Sequence, residues 1–202
     1  SINFWHMYNF DLTKNKNFNP DNLLVSSHHG YKLLKRQTII KNIKIFQVES
    51  LWFNYLYKNI VSNNSNNSIL ILGDYDTAKN FKLLKIIFSS ELVKRRKIFF
   101  KKHPHDILNY NDYNLKIVKK NIIDLIPIFN FIISSSSTSA IIEFLRYRKK
   151  IFILDDEDDL DLSPLKKLNY PLMFKNLYEF NKLLKKKNIS KFITKNSKNY
   201  YF

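Results

Sequence analysis

The sequence contains no cysteine and only two glycines among its 202 residues. Without cysteine the chain has no disulfide framework and no thiolate to serve as a nucleophile or a metal ligand. The absence of cysteine also fits a reducing cytoplasm, which is the compartment we expect. Because glycine is so rare, any phosphate site in this protein has to be built without a glycine-rich loop.

Long apolar runs and targeting signals are also missing. No run approaches the roughly 18 to 20 uninterrupted apolar residues that a membrane-spanning helix requires. The first residues, SINFWHMYNF, lack the positively charged region and apolar core of a signal peptide. The chain starts at Ser1 without an initiator methionine, which indicates a fragment or a trimmed chain. Its 45% of hydrophobic residues are enough to bury one sizeable core or two small ones.

Acidic residues are scarce relative to basic ones. The chain has 34 lysines and arginines against 17 aspartates and glutamates, which gives a formal net charge of +17. Such a charge favours an anionic partner: nucleic acid, a membrane surface or a phosphorylated ligand. The lysines are spread along the chain, however, and the abundance of Lys, Asn, Ile, Phe and Tyr is what an AT-rich genome produces. We therefore expect no specific nucleic-acid partner from the charge alone.

Short apolar runs alternate with helical segments along the chain. Strands are predicted at residues 22–27, 43–49, 68–74, 97–103, 129–136 and 149–156, with a weaker one at 170–174. Helices are predicted at residues 77–95, 114–126, 139–148 and 177–187. Several of the strands are apolar throughout, as expected when both faces of a parallel sheet are covered. The alternation predicts an α/β fold with a Rossmann-like, mainly parallel sheet and helices on both faces.

The segment SNNSNNS, residues 62–68, is the clearest candidate for a domain boundary, because this polar low-complexity stretch can only be a loop. It separates a front segment, residues 1–61, from a more regular part, residues 62–202. We expect the second part to form the Rossmann-like domain. The front segment is expected to belong to an interdomain region or to the edge of a sheet.

In an open parallel sheet, ligands bind beyond the carboxyl ends of the strands, so the residues that follow each strand are the candidates for a site. Gly73 follows the apolar run SILIL and indicates a tight turn or a close approach of a ligand. The alternative is that Asp76 or Thr77 merely caps the next helix.

The stretch KIFFKKHPHD ends a predicted strand in cations and imidazoles. Pro104 favours an extended conformation for His103 and thereby fixes the direction of its ring. A fixed imidazole beside Lys102 suits a phosphate group. The alternative is a solvated basic loop, and we expect His105 and Asp106 only to begin the next segment.

A run of hydroxyl side chains follows the next predicted strand. Ser135, Ser136 and Ser137 lead into an amphipathic helix whose free amides and dipole would add to an anion site. Glu143, one to two turns into that helix, is placed to reach a ribose hydroxyl. The alternative is a serine-rich cap followed by a solvent-facing glutamate. If the two strands are adjacent, as their succession allows, both loops face one pocket.

Two further clusters suggest metal sites but are explained more simply. Six carboxylates lie between Asp155 and Asp161, without the spacing of a calcium-binding loop, so we predict a solvated acidic loop. His28 and His29 are adjacent, and adjacent histidines usually point apart. We therefore predict no metal site.

At these motifs the sequence resembles a known family. The turns KKHP and SSSSTSAIIE are similar to those in the carboxyl-terminal half of GT-B glycosyltransferases, in particular bacterial sialyltransferases and polysialyltransferases. The stretch NPDNLLVSSHHGYKLLKRQTIIKNIKIFQVESLWFNYL and the later LDLSPL resemble a family of bacterial surface-carbohydrate biosynthesis proteins. Asp161 stands where that family usually has Asn, and Trp52 where Arg is expected. The resemblance covers about residues 20–190.

The resemblance implies a donor site for a nucleotide-activated sugar, bound as a substrate with no separate cofactor. The residues that would build it are Lys102, His103, Pro104, Ser135, Ser136, Ser137 and Glu143, and Gly73 joins them as a candidate because of its position at a strand exit. A CMP-linked sugar is the first choice, followed by a UDP-sugar or a CDP-linked polyol. The acceptor would be a glycan or a lipid-linked sugar of capsule or lipopolysaccharide synthesis, at the cytoplasmic face of the inner membrane. A GT-B enzyme has two such domains and its general base comes from the first, so we expect the catalytic base outside this chain.

Two other interpretations stay open. A non-catalytic basic α/β module that binds nucleic acid or an anionic membrane surface would show a steep salt dependence. A degenerate relative of the glycosyltransferases would keep the fold and lack the activity.

Overall fold

The computed structural model of the chain describes residues 21–25, 28–35, 43–48, 67–147, 149–155 and 170–185. Their elements fall into two compact units. The first contains β1 (Asn22–Val25), α1 (His28–Lys35) and β2 (Lys44–Gln47). The second contains β3 (Ser68–Leu72), α2 (Thr77–Phe88), β4 (Lys97–Lys101), β5 (Lys116–Ile117), α3 (Ile122–Leu125), β6 (Phe131–Ser135), α4 (Ile141–Arg146), β7 (Lys150–Leu154), β8 (Met173–Phe174) and α5 (Leu177–Leu184). The boundary predicted between residues 61 and 62 lies outside the described residues.

The first unit is a pair of parallel strands, β1 and β2, with α1 between them in the chain. Leu23 and Val25 alternate with exposed residues along β1, and they form a small core with Leu34 of α1. The sequence predicted both strands but not α1.

The second unit is built on a six-stranded sheet with the order β5-β4-β3-β6-β7-β8. All of its strand pairs are parallel. The chain begins at the centre with β3, winds outward to β4 and β5, and then returns to β6 on the other side of β3. The connections after β3 and after β6 therefore leave in opposite directions, which opens a crevice at the carboxyl edge of the sheet.

Helices cover both faces of this sheet. Since crossovers between parallel strands are right-handed, the reversal of winding at β3 puts α2 and α4 on opposite faces. On the α2 face, the Ser90 hydroxyl donates to Asn181 of α5 at 2.6 Å. All five residues of β3 are buried, and so are the last four of β6 and of β7. The predicted α/β fold with a Rossmann-like parallel sheet is confirmed.

Two predicted helices differ from the structure. The prediction of a helix over residues 114–126 was wrong, because Lys116–Ile117 pairs with β4 as the edge strand β5, and α3 covers Ile122–Leu125 alone. The predicted helix at residues 77–95 ends at Phe88, where Ser89 caps it, and turns follow. None of the described helices has both the length and the apolar character needed to cross a membrane.

Gly73 lies directly after β3, and its N–H donates to the Lys101 carbonyl of β4 at 2.9 Å. A Cβ at this position would lie 2.9 Å from Cζ of Phe100 and 3.2 Å from the Lys101 carbonyl oxygen. The Phe100 side chain is completely buried, so its ring has no free space into which to move. Close packing against β4 is thus the reason for glycine at this strand end.

We expect Gly73→Ala to lower the free energy of unfolding by about 1–3 kcal/mol, because the added methyl group overpacks the core against Phe100. In a Phe100→Leu background the same substitution should cost less, since the clashing ring is gone. Urea denaturation of the four proteins of this double-mutant cycle measures both costs. An equal cost in both backgrounds would show that the Phe100 contact is not the cause.

Candidate functional site

A pocket of about 370 Å³ opens at the carboxyl edge of the six-stranded sheet. Its volume lies within the range of small-molecule sites. Three loops contribute to it, those that follow β3, β4 and β6, together with the start of α3 and of α4. The predicted site residues that line it are Gly73, Lys102, His103, Pro104, Ser137 and Glu143.

The two loops singled out from the sequence meet in this pocket, although their strands are not neighbours. The sequence allowed these strands to be adjacent, and the structure shows that they are not, because β3 lies between β4 and β6. The loop after β3 therefore lies between the other two loops and supplies Asp74 and Tyr75 to the pocket. Ser135 and Ser136 are buried and do not belong to the pocket lining.

The orientation of His103 is fixed by its neighbours. Its Nδ1 accepts a hydrogen bond from the His105 amide at 3.3 Å, which leaves Nε2 as the nitrogen that carries the proton of the neutral ring. The His105 ring stacks on the His103 ring with centroids 5.4 Å apart. The Tyr75 ring packs against His103 in a T-shaped arrangement with centroids 6.3 Å apart. The imidazole thus offers an N–H donor from a defined direction.

Two consecutive lysines, the last residue of β4 and the first residue after it, bring positive charge to the pocket. Lys102 Nζ donates to the Leu108 carbonyl at 2.7 Å, and Lys101 Nζ donates to the Lys119 carbonyl at 3.4 Å. Both acceptors are neutral, so these contacts position the ammonium groups without cancelling their charge. We call Lys101, Lys102 and His103 the donor side of the pocket, because these residues offer hydrogen-bond donors to it.

Asp74 is a pocket residue that sequence reasoning did not select. It is 1% exposed, and its Oδ2 accepts hydrogen bonds from the hydroxyls of Ser135 and Ser137. Its Oδ1 accepts from the Asp76 amide at 3.0 Å. An acid directly after the glycine that ends a buried strand was the available signal in the sequence.

The hydroxyls after β6 extend this network in two directions. Lys79 of α2 donates through Nζ to Ser137 Oγ at 3.3 Å, and Thr138 Oγ1 lies 3.1 Å from Ser135 Oγ. The side chain of Asp76 caps α2 by accepting from the Ala78 amide at 2.9 Å, as the alternative interpretation of that loop stated. We call Ser137 and Glu143, which line the pocket from the β6 loop and α4, the serine side.

A second buried network holds the loop after β4 against the same strand end. The Asn80 side chain accepts from the Asp74 amide at 2.7 Å and donates to Asp106 Oδ2 at 3.1 Å. The Tyr110 hydroxyl donates to the same Asp106 oxygen at 2.7 Å. Asp106 is 5% exposed, so the expectation that it only begins the next segment was wrong. Burial, followed by the hydrogen bond to Asp106, raises the pKa of Tyr110 above its ordinary value.

This raised pKa predicts a loss of stability in alkali. Above about pH 10 an unfolded tyrosine ionises, whereas Tyr110 keeps its proton in the folded state, so rising pH favours unfolding. The stability difference between the wild type and Tyr110→Phe should stay constant from about pH 7 to about pH 9 and shrink towards about pH 11. Urea denaturation across this pH range measures this difference in the free energy of unfolding.

The exposed Tyr178 offers the matched control Tyr178→Phe, whose stability should follow that of the wild type at every pH. A Tyr110→Phe curve parallel to the wild type would contradict this account.

Some sequence predictions fall outside the described residues. They concern the acidic segment at 156–161, the LDLSPL segment at 160–165, and Trp52. Only the backbone of His28 and His29 is described, as the start of α1. Among the residues that the structure does describe, no group of three His, Asp or Glu side chains is arranged to hold a metal ion.

The fold and the pocket define an α/β protein with a polar pocket at the carboxyl edge of a parallel sheet. Comparison of the chain with protein-family models, with curated proteins and with solved structures found no match. The function of the pocket therefore has to be argued from its geometry and from the sequence motifs that line it.

Proposed function

We propose that this chain is the donor-binding domain of a GT-B-type glycosyltransferase and that the pocket binds the nucleotide of an activated sugar. The observation that carries the proposal is the meeting of the KKHP turn and the serine-rich turn around one pocket, at the point where the sheet reverses its winding. Ligands of open α/β sheets bind at this point. A CMP-linked sugar is the preferred donor, because the sequence motifs resemble those of sialyltransferases and polysialyltransferases.

The donor side suits the phosphate of such a ligand. His103 offers an N–H through Nε2, and Lys101 and Lys102 add charge that is held by neutral carbonyls. Charge-assisted hydrogen bonds to an oxyanion are about twice as strong as neutral ones. The Tyr75 side chain, which is 55% exposed and lines the pocket, offers an aromatic face for a nucleobase.

The reaction is an inverting transfer without a metal ion. A base outside this chain removes the proton of the acceptor hydroxyl, whose oxygen forms a bond to the anomeric carbon of the donor. The bond from that carbon to the nucleotide phosphate breaks, and the phosphate keeps its electron pair. The donor side lowers the barrier by stabilising the negative charge that develops on the leaving phosphate.

The setting of the reaction is cell-surface polysaccharide synthesis, such as that of a capsule or lipopolysaccharide. The acceptor is a glycan or a lipid-linked sugar at the cytoplasmic face of the inner membrane. The alternative is a non-catalytic basic module that binds nucleic acid or an anionic membrane surface. The two functions differ in a measurable way, because only the first requires His103.

We expect CMP to raise the melting temperature of the protein more than UDP or CDP does, because a ligand that binds only the native state stabilises it by mass action. The variant His103→Ala should weaken CMP binding by about tenfold or more, since it removes a hydrogen bond to a charged group. Asn111→Ala is the control, because Asn111 is uncharged, exposed and outside the pocket lining. Thermal-shift titrations of the three proteins measure these effects.

Two results would decide against the donor site. One is a folded sample that none of the three nucleotides stabilises. The other is CMP binding that is indifferent to His103→Ala and falls steeply with salt, which is the behaviour of the basic module.

A further inference from the structure

Asp74 fixes the direction of the hydroxyl groups after β6. Each serine hydroxyl has one hydrogen, and those of Ser135 and Ser137 are both donated to Asp74 Oδ2. Since the hydrogen of Ser135 is already used, Thr138 must be the donor in the hydrogen bond between these two hydroxyls. All three hydrogens are therefore used within the protein, and none of them is offered to a ligand.

Lys79 holds Ser137 from the other side. The lysine is only 7% exposed, and its ammonium group donates to Ser137 Oγ at 3.3 Å. A hydroxyl that donates to Asp74 and accepts from Lys79 has one lone pair left. Ser137 thus presents the pocket with a hydrogen-bond acceptor, contrary to the sequence-based expectation of hydroxyl donors for an anion.

We propose that Asp74 is a positioning residue that makes the serine side of the pocket accept hydrogen bonds, so that this side takes ribose hydroxyls and the donor side takes the phosphate. The inference rests on the proposed nucleotide site. Glu143 lines the same side and adds a carboxylate, which is also an acceptor. A phosphate placed there would face the remaining lone pair of Ser137 and the Glu143 carboxylate, with the buried Lys79 behind Ser137, whereas the hydroxyls of a ribose can donate to both acceptors.

The test is calorimetric titration of the full chain with CMP, 2′,3′-dideoxy-CMP and inorganic pyrophosphate. We expect wild-type protein to bind CMP about tenfold more tightly than its dideoxy analogue, because the analogue cannot donate to the serine side. Asp74→Asn keeps the size of the side chain but puts an N–H₂ donor where an acceptor stood. The Ser137 hydroxyl, which lines the pocket, then turns and donates into it.

For Asp74→Asn we expect the preference for CMP over dideoxy-CMP to fall to about twofold or less, and the affinity for pyrophosphate to rise about tenfold. The gain in pyrophosphate affinity separates a positioning role from a structural one, which would weaken all three ligands together. Asp112 is exposed, so Asp112→Asn makes the same change of charge away from the pocket and should leave the three affinities unchanged.

A second variant keeps the inference testable if Asp74→Asn does not fold. Ser137→Ala removes the acceptor and should abolish the preference for CMP over dideoxy-CMP. An unchanged preference in either variant, or a lower pyrophosphate affinity in Asp74→Asn, overturns the inference. Wild-type binding of CMP without any preference over the dideoxy form overturns it as well and leaves the proposed function standing. Absence of CMP binding overturns the inference, and absence of UDP and CDP binding as well overturns the proposed function.

Discussion

A carboxylate buried at the end of the central strand needs hydrogen-bond donors, and the architecture of the pocket depends on this requirement. Leaving an ionised group in the interior without partners costs several kcal/mol, so the chain around Asp74 has to supply them. Two of the donors are hydroxyls that lie 61 and 63 positions further along the chain, at the last residue of β6 and in the turn that follows it. The need to satisfy one side chain thus ties the serine-rich turn to the end of β3.

The same strand end also holds the loop after β4. Asn80 bonds both the backbone of Asp74 and the buried side chains of Asp106 and Tyr110. If the loop moved away, Asn80 would lose its hydrogen bonds to Asp106 and Tyr110, and breaking them is costly because this network is buried. Side-chain hydrogen bonds therefore hold the loops around the pocket, in a sequence that has only two glycines.

The sequence could predict the features that depend on local residue patterns, but not those that depend on pairing between segments distant in the chain. Strands such as β3, β6 and β7 are buried on both faces, so their apolar runs were visible without any knowledge of the fold. The edge strand β5 consists of two exposed residues that are defined as a strand by their pairing with β4. No local hydrophobic pattern in the sequence could therefore predict it. The sequence also carried no information on strand order, so it could not predict that β3 lies between β4 and β6. The hydrogen bonds of Asp74 depend on that order, so the sequence could indicate two loops that meet in one pocket and still miss the residue between them.

The arrangement of charge in the pocket also bears on the kind of ligand. A net charge of +17 attracts any polyanion, but it does not distinguish a nucleic-acid backbone from a small nucleotide. A backbone of repeated phosphates is best met by donors and cations throughout a groove. This pocket instead has Lys101, Lys102 and an imidazole at one side; at the other it has carboxylates and a hydroxyl that Asp74 and the buried Lys79 orient. Such a division suits a ligand with one anionic end and one end rich in hydroxyl groups, and it therefore favours a nucleotide over a polyanion.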